Sequence, residues 1–217
     1  MGILKKTTMK DQIYALIKER IFNQIYEQGQ KINMLELSME LGVSNSPIRE
    51  ALSVLESEGL IEFTPNAGPK VVTIDSTLFE EVQETARILL LGCYEQCVEK
   101  NLIDKLIVRI EECLAMQKSA ADDYSEQGEA EFARLAIEFD VSVMKILGNQ
   151  TLERLYAAFY NQLYLVILYD HKHSCVERSE NIRQHEELLE AVRRGSIEEV
   201  NQCINVHFGR HVTDHVK

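Results

Sequence analysis

The chain has 217 residues, 45% hydrophobic and 27% charged, with a formal net charge of −12; this is a globular composition with room for two modest cores. No apolar run reaches the roughly 18 uncharged residues of a membrane span, Met1 to Lys10 lacks the apolar stretch of a secretory signal, and five cysteines without regular spacing are no disulfide framework. The expectation is a cytoplasmic protein that does not associate with membranes.

The charge is unevenly spread. Residues 1–70 hold 8 Lys/Arg against 9 Asp/Glu, whereas residues 71–217 hold 15 against 26. Any nucleic-acid contact in the first part must therefore rest on a few well-placed cations and backbone donors, with modest affinity that falls steeply with salt.

In chain order, Ile13, Leu16, Ile17, Ile21 and Ile25 recur at helical spacing and predict one helix over 9–26, before Gly29. A short helix follows over 34–41, then a tight turn at Gly42 and a third helix capped by Ser44 or Ser46, with Pro47 in its first turn and its end near Glu58. Gly59 stops it. Strands are expected over 60–64 and 70–74, joined by the turn Pro65-Asn66-Ala67-Gly68. Helix, helix, turn, helix, hairpin is the order of a winged helix-turn-helix. All three prolines lie in the first 70 residues, so long helices are unobstructed beyond them; six are predicted, over 77–100, 102–120, 124–147, 150–172, 177–194 and 197–215. The fold class is thus mainly α, a winged helix-turn-helix over 1–75 and an all-α helical bundle over 76–217.

In the third helix the apolar skeleton Ile48, Leu52 and Leu55 leaves Ser44, Asn45, Ser46, Arg49 and Ser53 facing outward at its N-terminal half. A recognition helix enters the major groove by that end. There Arg49 is the cation able to fork onto a guanine, and Asn45 suits adenine or phosphate. The bland alternative is a helix pair with a solvated face.

The string Leu41-Gly42-Val43-Ser44-Asn45-Ser46-Pro47-Ile48-Arg49-Glu50-Ala51-Leu52, followed by Leu55-Glu56-Ser57-Glu58-Gly59-Leu60-Ile61, resembles the GntR superfamily of bacterial regulators. The resemblance implies DNA contacts from Arg49 and the turn Ser44, Asn45 and Ser46, with Gly68 at the wing tip; Lys70, two residues on, is a further candidate DNA contact. The chain departs from the family pattern in having Asn45 where an Arg is usual, Met34 and Leu35 where a basic residue is common, and Ala67 where the wing often carries Arg.

The helical remainder resembles the FadR-type branch, whose C-terminal bundle binds small acids and often a divalent metal. Aligned on Gly148-Asn149, Asp140 stands where the branch has a His and Ala136 where it has an Asp, while His185 and His207 fill the last two ligand positions. Asp140, His185 and His207 are a three-ligand set for one divalent metal of the Zn, Ni or Mn class, with open positions for a carboxylate. The alternative is a metal-free polar pocket built on the same histidines. Arg87 matches an Arg of the branch that suits an acidic effector, its alternative being an ordinary ion pair. Asn161, Gln162, Tyr164 and Tyr169 are pocket candidates, with core packing the rival for the tyrosines. Cys203, His207, His211 and His215 share a helix face, a weak second metal pattern; Cys93 and Cys97 read as buried small hydrophobes, and His171 and His173 as solvated residues at a helix end.

No phosphate-binding glycine loop, nucleophile elbow or HExxH motif occurs, so no enzyme is expected. The reading is a homodimeric transcriptional regulator that binds a double-stranded DNA operator and is controlled by a small carboxylate, repression relieved by the ligand being favoured over activation. Its rivals are a ligand-independent DNA-binding dimer and a metal-dependent enzyme carrying a winged-helix interaction module.

Overall fold

The computed structural model of the protein describes residues 7–65, 67–173 and 178–209. The chain divides at Ile74/Asp75 into two compact units.

In the first unit Thr8 opens α1 (Met9–Phe22) with a reciprocal capping box to Asp11, and Ile13, Ile17 and Ile21 form its buried stripe. The helix ends four residues before the predicted Tyr26, because Gln24 takes a positive φ of 56° and turns the chain. Asn33 caps α2 (Met34–Leu41) by accepting from the amides of Leu35 and Glu36, and Gly42 ends it at φ 66°. Helix α3 (Asn45–Ser57) buries Ile48, Ala51, Leu52 and Leu55.

Strands β1 (Ile61–Thr64) and β2 (Gly68–Val71) pair antiparallel from Ile61 opposite Val71 to Thr64 opposite Gly68. The second strand starts and ends earlier than the predicted 70–74. Pro69 sits in it without an N–H to offer, and its carbonyl instead accepts from Ile32 at 2.9 Å. Val72 still donates to the Leu60 carbonyl at 3.1 Å, and beyond it the chain leaves the hairpin, the Ile74 amide donating to the Gln28 side chain at 2.9 Å. Of the predicted turn, Asn66 lies outside the described residues; the Ala67 amide closes onto the Thr64 carbonyl at 3.0 Å.

The second unit is helical throughout its described residues: α4 (Ser76–Glu99), α5 (Ile103–Ser119), α6 (Glu126–Asp140), α7 (Ser142–Leu147), α8 (Gln150–His173), α9 (Arg178–Arg194) and α10 (Ile197–Phe208). The continuous helix predicted over 124–147 is two helices broken at Val141. There the Ser142 hydroxyl donates to the Glu138 carbonyl at 2.7 Å, a back-bond that bends helices, and the Met144 amide takes the tighter bond to the Val141 carbonyl at 3.0 Å. Phe132, Ile137 and Phe139 of α6 are fully buried, and α5 packs against both α6 and α9, while α10 packs against α4 and α9. The predicted continuation of the last helix to residue 215 lies outside the described residues. No helix among the described residues is long and apolar enough to cross a membrane.

Candidate functional site

Helix α3 carries the first site. Leu52 and its buried neighbours fix the helix on α1 and α2, which leaves Ser44, Asn45, Ser46 and Arg49 exposed on the N-terminal turns. Ser44 occupies the N-cap with extended backbone and no side-chain cap bond, so the first amides of α3 remain available to a phosphate. Ser46 donates to Glu50 at 3.3 Å. Arg49 has no ion pair among the described residues, whereas Arg20 is committed to Glu40 (3.1 Å), which, with Tyr26, raises its pKa. In the hairpin, Gly68 adopts φ 82° with open space around its Cα, and Lys70 pairs with Glu62 at 2.9 Å.

The second site lies where α6, α9 and α10 meet. Asp140, the last residue of α6, His185 of α9 and His207 of α10 bring one ligand atom each to within 4.8 Å of one another. The Nε2 atoms of His185 and His207 stand 3.4 and 3.6 Å from Asp140 Oδ1. Neither oxygen of Asp140 has a hydrogen-bond partner among the described residues, although both are buried. Burial opposes ionisation of this carboxyl; the neighbouring imidazoles of His207 and His185 favour its anion, outweigh burial and hold the pKa down at about 2. Two ligands of a tetrahedral ion with bonds of about 2.1 Å are about 3.4 Å apart, so the spacing to Asp140 fits a shared cation better than a direct hydrogen bond.

Behind the histidines stand residues that sequence reasoning missed. His185 Nδ1 meets Gln117 Oε1 at 2.7 Å, and Gln117 donates to Asn181 at 2.6 Å. His207 Nδ1 meets Gln184 Oε1 at 2.9 Å, and Gln184 donates to Glu180 at 2.8 Å. Phe139 stacks on His185 with ring centres 4.0 Å apart, fixing its plane. The four-residue spacing of Glu180 and Gln184 is visible in the sequence, but nothing there aims it at His207.

The other candidates fall elsewhere. Arg87 on α4 is 34% exposed and has Glu84 at 4.0 Å. Asn161 is buried; Tyr164 is buried too, donating to the Ala130 carbonyl at 3.4 Å and stacked on Tyr160. Gln162 and Tyr169 are half-buried. The pocket that opens on Asp140 is walled by apolar side chains, among them Leu90, Ile110, Val143 and Val200, with the Tyr94 ring. Ala136 is buried and offers no ligand atom. Cys93 and Cys97 are buried, and burial pushes both thiols up to about 11, as small core residues rather than nucleophiles. The side chains of His171 and His173, and the residues His211 and His215, lie outside the described part, so the face shared with Cys203 is seen here only as Cys203 and His207.

Residues 9–71 match the profile of the bacterial regulatory proteins of the gntR family, and residues 81–210 match the FCD domain. The chain is 27% identical over 216 residues to an uncharacterised HTH-type transcriptional regulator, YdhC, of Bacillus subtilis, covering 98% of this chain and 93% of that one. It is 28% identical over 129 residues to the gluconate operon transcriptional repressor of Bacillus licheniformis, covering 57% and 52% of the two chains. A GntR-type protein from Rhodococcus sp. RHA1, described as a transcriptional regulator, shares the fold with a TM-score of 0.71 at 16% identity, over 92% of this chain and 93% of that one. With the winged helix in the first unit and more than half of its length matching the effector-binding domain, the chain belongs to the GntR family, as a DNA-binding transcriptional regulator with an FCD domain.

Proposed function

We propose that the protein is a dimeric repressor whose FCD domain senses a small carboxylate through a divalent metal held by Asp140, His185 and His207. Arg49, Ser44, Asn45 and Ser46 enter the major groove, and Gly68 and Lys70 lie along the wing. In a dimer, two such helices address successive grooves of a pseudo-palindromic operator. The observation that carries the sensing reading is the convergence of one buried carboxylate and two imidazoles, with the carboxylate also lining an otherwise apolar pocket. A free acid entering that pocket meets the like charge of Asp140; a bound divalent cation of the Zn, Ni or Mn class reverses the local sign and offers open positions to a carboxylate. The gluconate operon repressor among the relatives is named for a carboxylate of this kind. Arg87, Asn161 and Tyr164 are proposed as further effector contacts, which for Arg87 requires giving up its long contact with Glu84.

The acid acts only by binding the DNA-competent and DNA-released arrangements with different affinity. The test is fluorescence anisotropy of the full chain on the DNA upstream of its own gene, with the protein stripped by chelator and then reloaded with Zn2+. Gluconate and related small acids are expected to release the DNA from the metal-loaded protein and not from the stripped one. Operator binding that responds to neither metal nor any acid leaves a ligand-independent DNA-binding dimer in place of the sensor.

A further inference from the structure

We propose that Gln184, held by Glu180, is a positioning residue that keeps His207 protonated at Nδ1 and so turns its Nε2 lone pair toward Asp140 as a metal ligand. The inference rests on the metal reading above and adds the device that prepares the ligand. Its logic is a chain of donors and acceptors. A carboxylate only accepts hydrogen bonds, so the amide group of Gln184 that faces Glu180 at 2.8 Å is its NH2. The Gln184 oxygen is therefore the atom 2.9 Å from His207 Nδ1, and since an amide oxygen also only accepts, Nδ1 must donate. A neutral imidazole has one N–H. Its Nε2, 3.6 Å from Asp140 Oδ1, then carries the lone pair.

The orientation of Gln184 thus follows from the chemistry of Glu180. Glu180 is itself held by Arg183, whose Nε donates to it at 2.8 Å. Gln117 and Asn181 form the matching pair behind His185, although two amides do not fix their own direction as a carboxylate does. Gln184 and Gln117 are both buried, so water does not substitute freely for either. Such outer partners set the tautomer and basicity of a ligating His, and losing one costs about tenfold to a hundredfold in metal affinity.

The experiment uses the full chain, with Zn2+ affinity measured by competition against a chromophoric chelator and the imidazole tautomer read by long-range 1H–15N NMR of labelled histidine in the metal-free protein. Gln184→Met keeps the size of the side chain and removes its hydrogen bonds; it is expected to weaken Zn2+ binding by about tenfold to a hundredfold with an unchanged far-ultraviolet dichroism spectrum. The exchange Glu180→Gln with Gln184→Glu reverses the polarity of the relay while still presenting an acceptor to Nδ1, and it is expected to restore binding to the wild-type range, which a merely structural role would not do. Wild-type affinity in Gln184→Met, or no recovery in the exchange variant, overturns the proposal. Should the wild type bind no Zn2+, the metal reading falls, and the tautomer still decides this one: His207 held as Nδ1–H in the wild type and released in Gln184→Met supports it, and His207 held as Nε2–H overturns it.

Discussion

Replacing Arg178 with alanine should be among the most damaging single changes in the second unit. The residues around the end of α5 leave carbonyls that the helix cannot satisfy, and Arg178 Nη1 reaches those of Ala120, Ala121 and Asp123 at 3.3, 2.9 and 2.7 Å. Its Nη2 pairs with Glu129 at 2.8 Å, where the arginine side chain is 9% and the glutamate 24% exposed. The guanidinium carbon also lies 4.4 Å from the centre of the Tyr124 ring and 4.9 Å from that of Phe132. Removing one partner of a largely buried, hydrogen-bonded charge pair costs about 3–5 kcal/mol, and at this site the same change also strands carbonyl groups and loses cation–π contact. We expect Arg178→Ala to lie in that range, and Arg178→Lys to recover only part of it, since an ammonium cannot span the carbonyls and Glu129 at once. Urea unfolding of the full chain followed by circular dichroism measures the loss, with the slope of the transition attributed to the FCD domain checked for constancy. A cost below about 1 kcal/mol, the scale of an exposed ion pair, refutes the argument.

Arg49→Ala is expected to weaken operator binding and lower the salt slope by about one phosphate equivalent if Arg49 contacts the backbone, or to relax base preference at one position with about 1–3 kcal/mol lost if it reads a guanine; anisotropy over a salt series on matched and altered duplexes separates the two. Gly42→Ala should destabilise the first unit by about 1–2 kcal/mol through its φ of 66° alone, because an added Cβ meets nothing within 4 Å, a difference visible in its thermal midpoint. Gly128→Ala should cost more, since its Cβ would come 2.2 Å from the Asp123 carbonyl oxygen and the backbone at the start of α6 has to shift. Cys93 and Cys97 should resist thiol reagents in the folded chain. Their thiols stay protonated up to about 11 when folded, against 9.0 for an ordinary thiol, so their contribution to stability is constant below pH 9 and falls as pH rises from there through 11; equilibrium unfolding across that window, compared with Cys93→Ala, checks the sign.

Much of the first unit is legible because its signals are local. Gly42, Pro47 and Gly59 punctuate it, and the stripe Ile48, Leu52, Leu55 declares which side of α3 is buried and hence that Arg49 faces out. What failed there was also local: Gln24 reverses the chain at a residue with no special liking for positive φ. In the second unit the helices are legible as lengths but not as joints. Nothing in the run from 124 to 147 warned that Ser142 would bond back to Glu138, because serine in a helix is ordinary until its hydroxyl finds that carbonyl. Asp140, His185 and His207 were found through resemblance; their convergence depends on three helices meeting, which no spacing encodes. The glutamines behind them stayed hidden for the same reason, Gln117 and His185 being 68 positions apart, and because an amide side chain carries no chemical signature until its neighbours are known.

The joint at Val141 places Asp140 at the end of a helix rather than in the middle of a rod. A carboxylate halfway along a 24-residue helix would hold a coordination site to one radius, since moving it means moving every turn on both sides. At the joint the carboxylate is tied to the turns of α6 alone, because α6 ends at Asp140 and α7 starts only after Val141. On the metal reading proposed above, a site so mounted sets its radius less tightly than one in mid-helix, so its choice among first-row divalent ions follows their abundance and the common order of affinities.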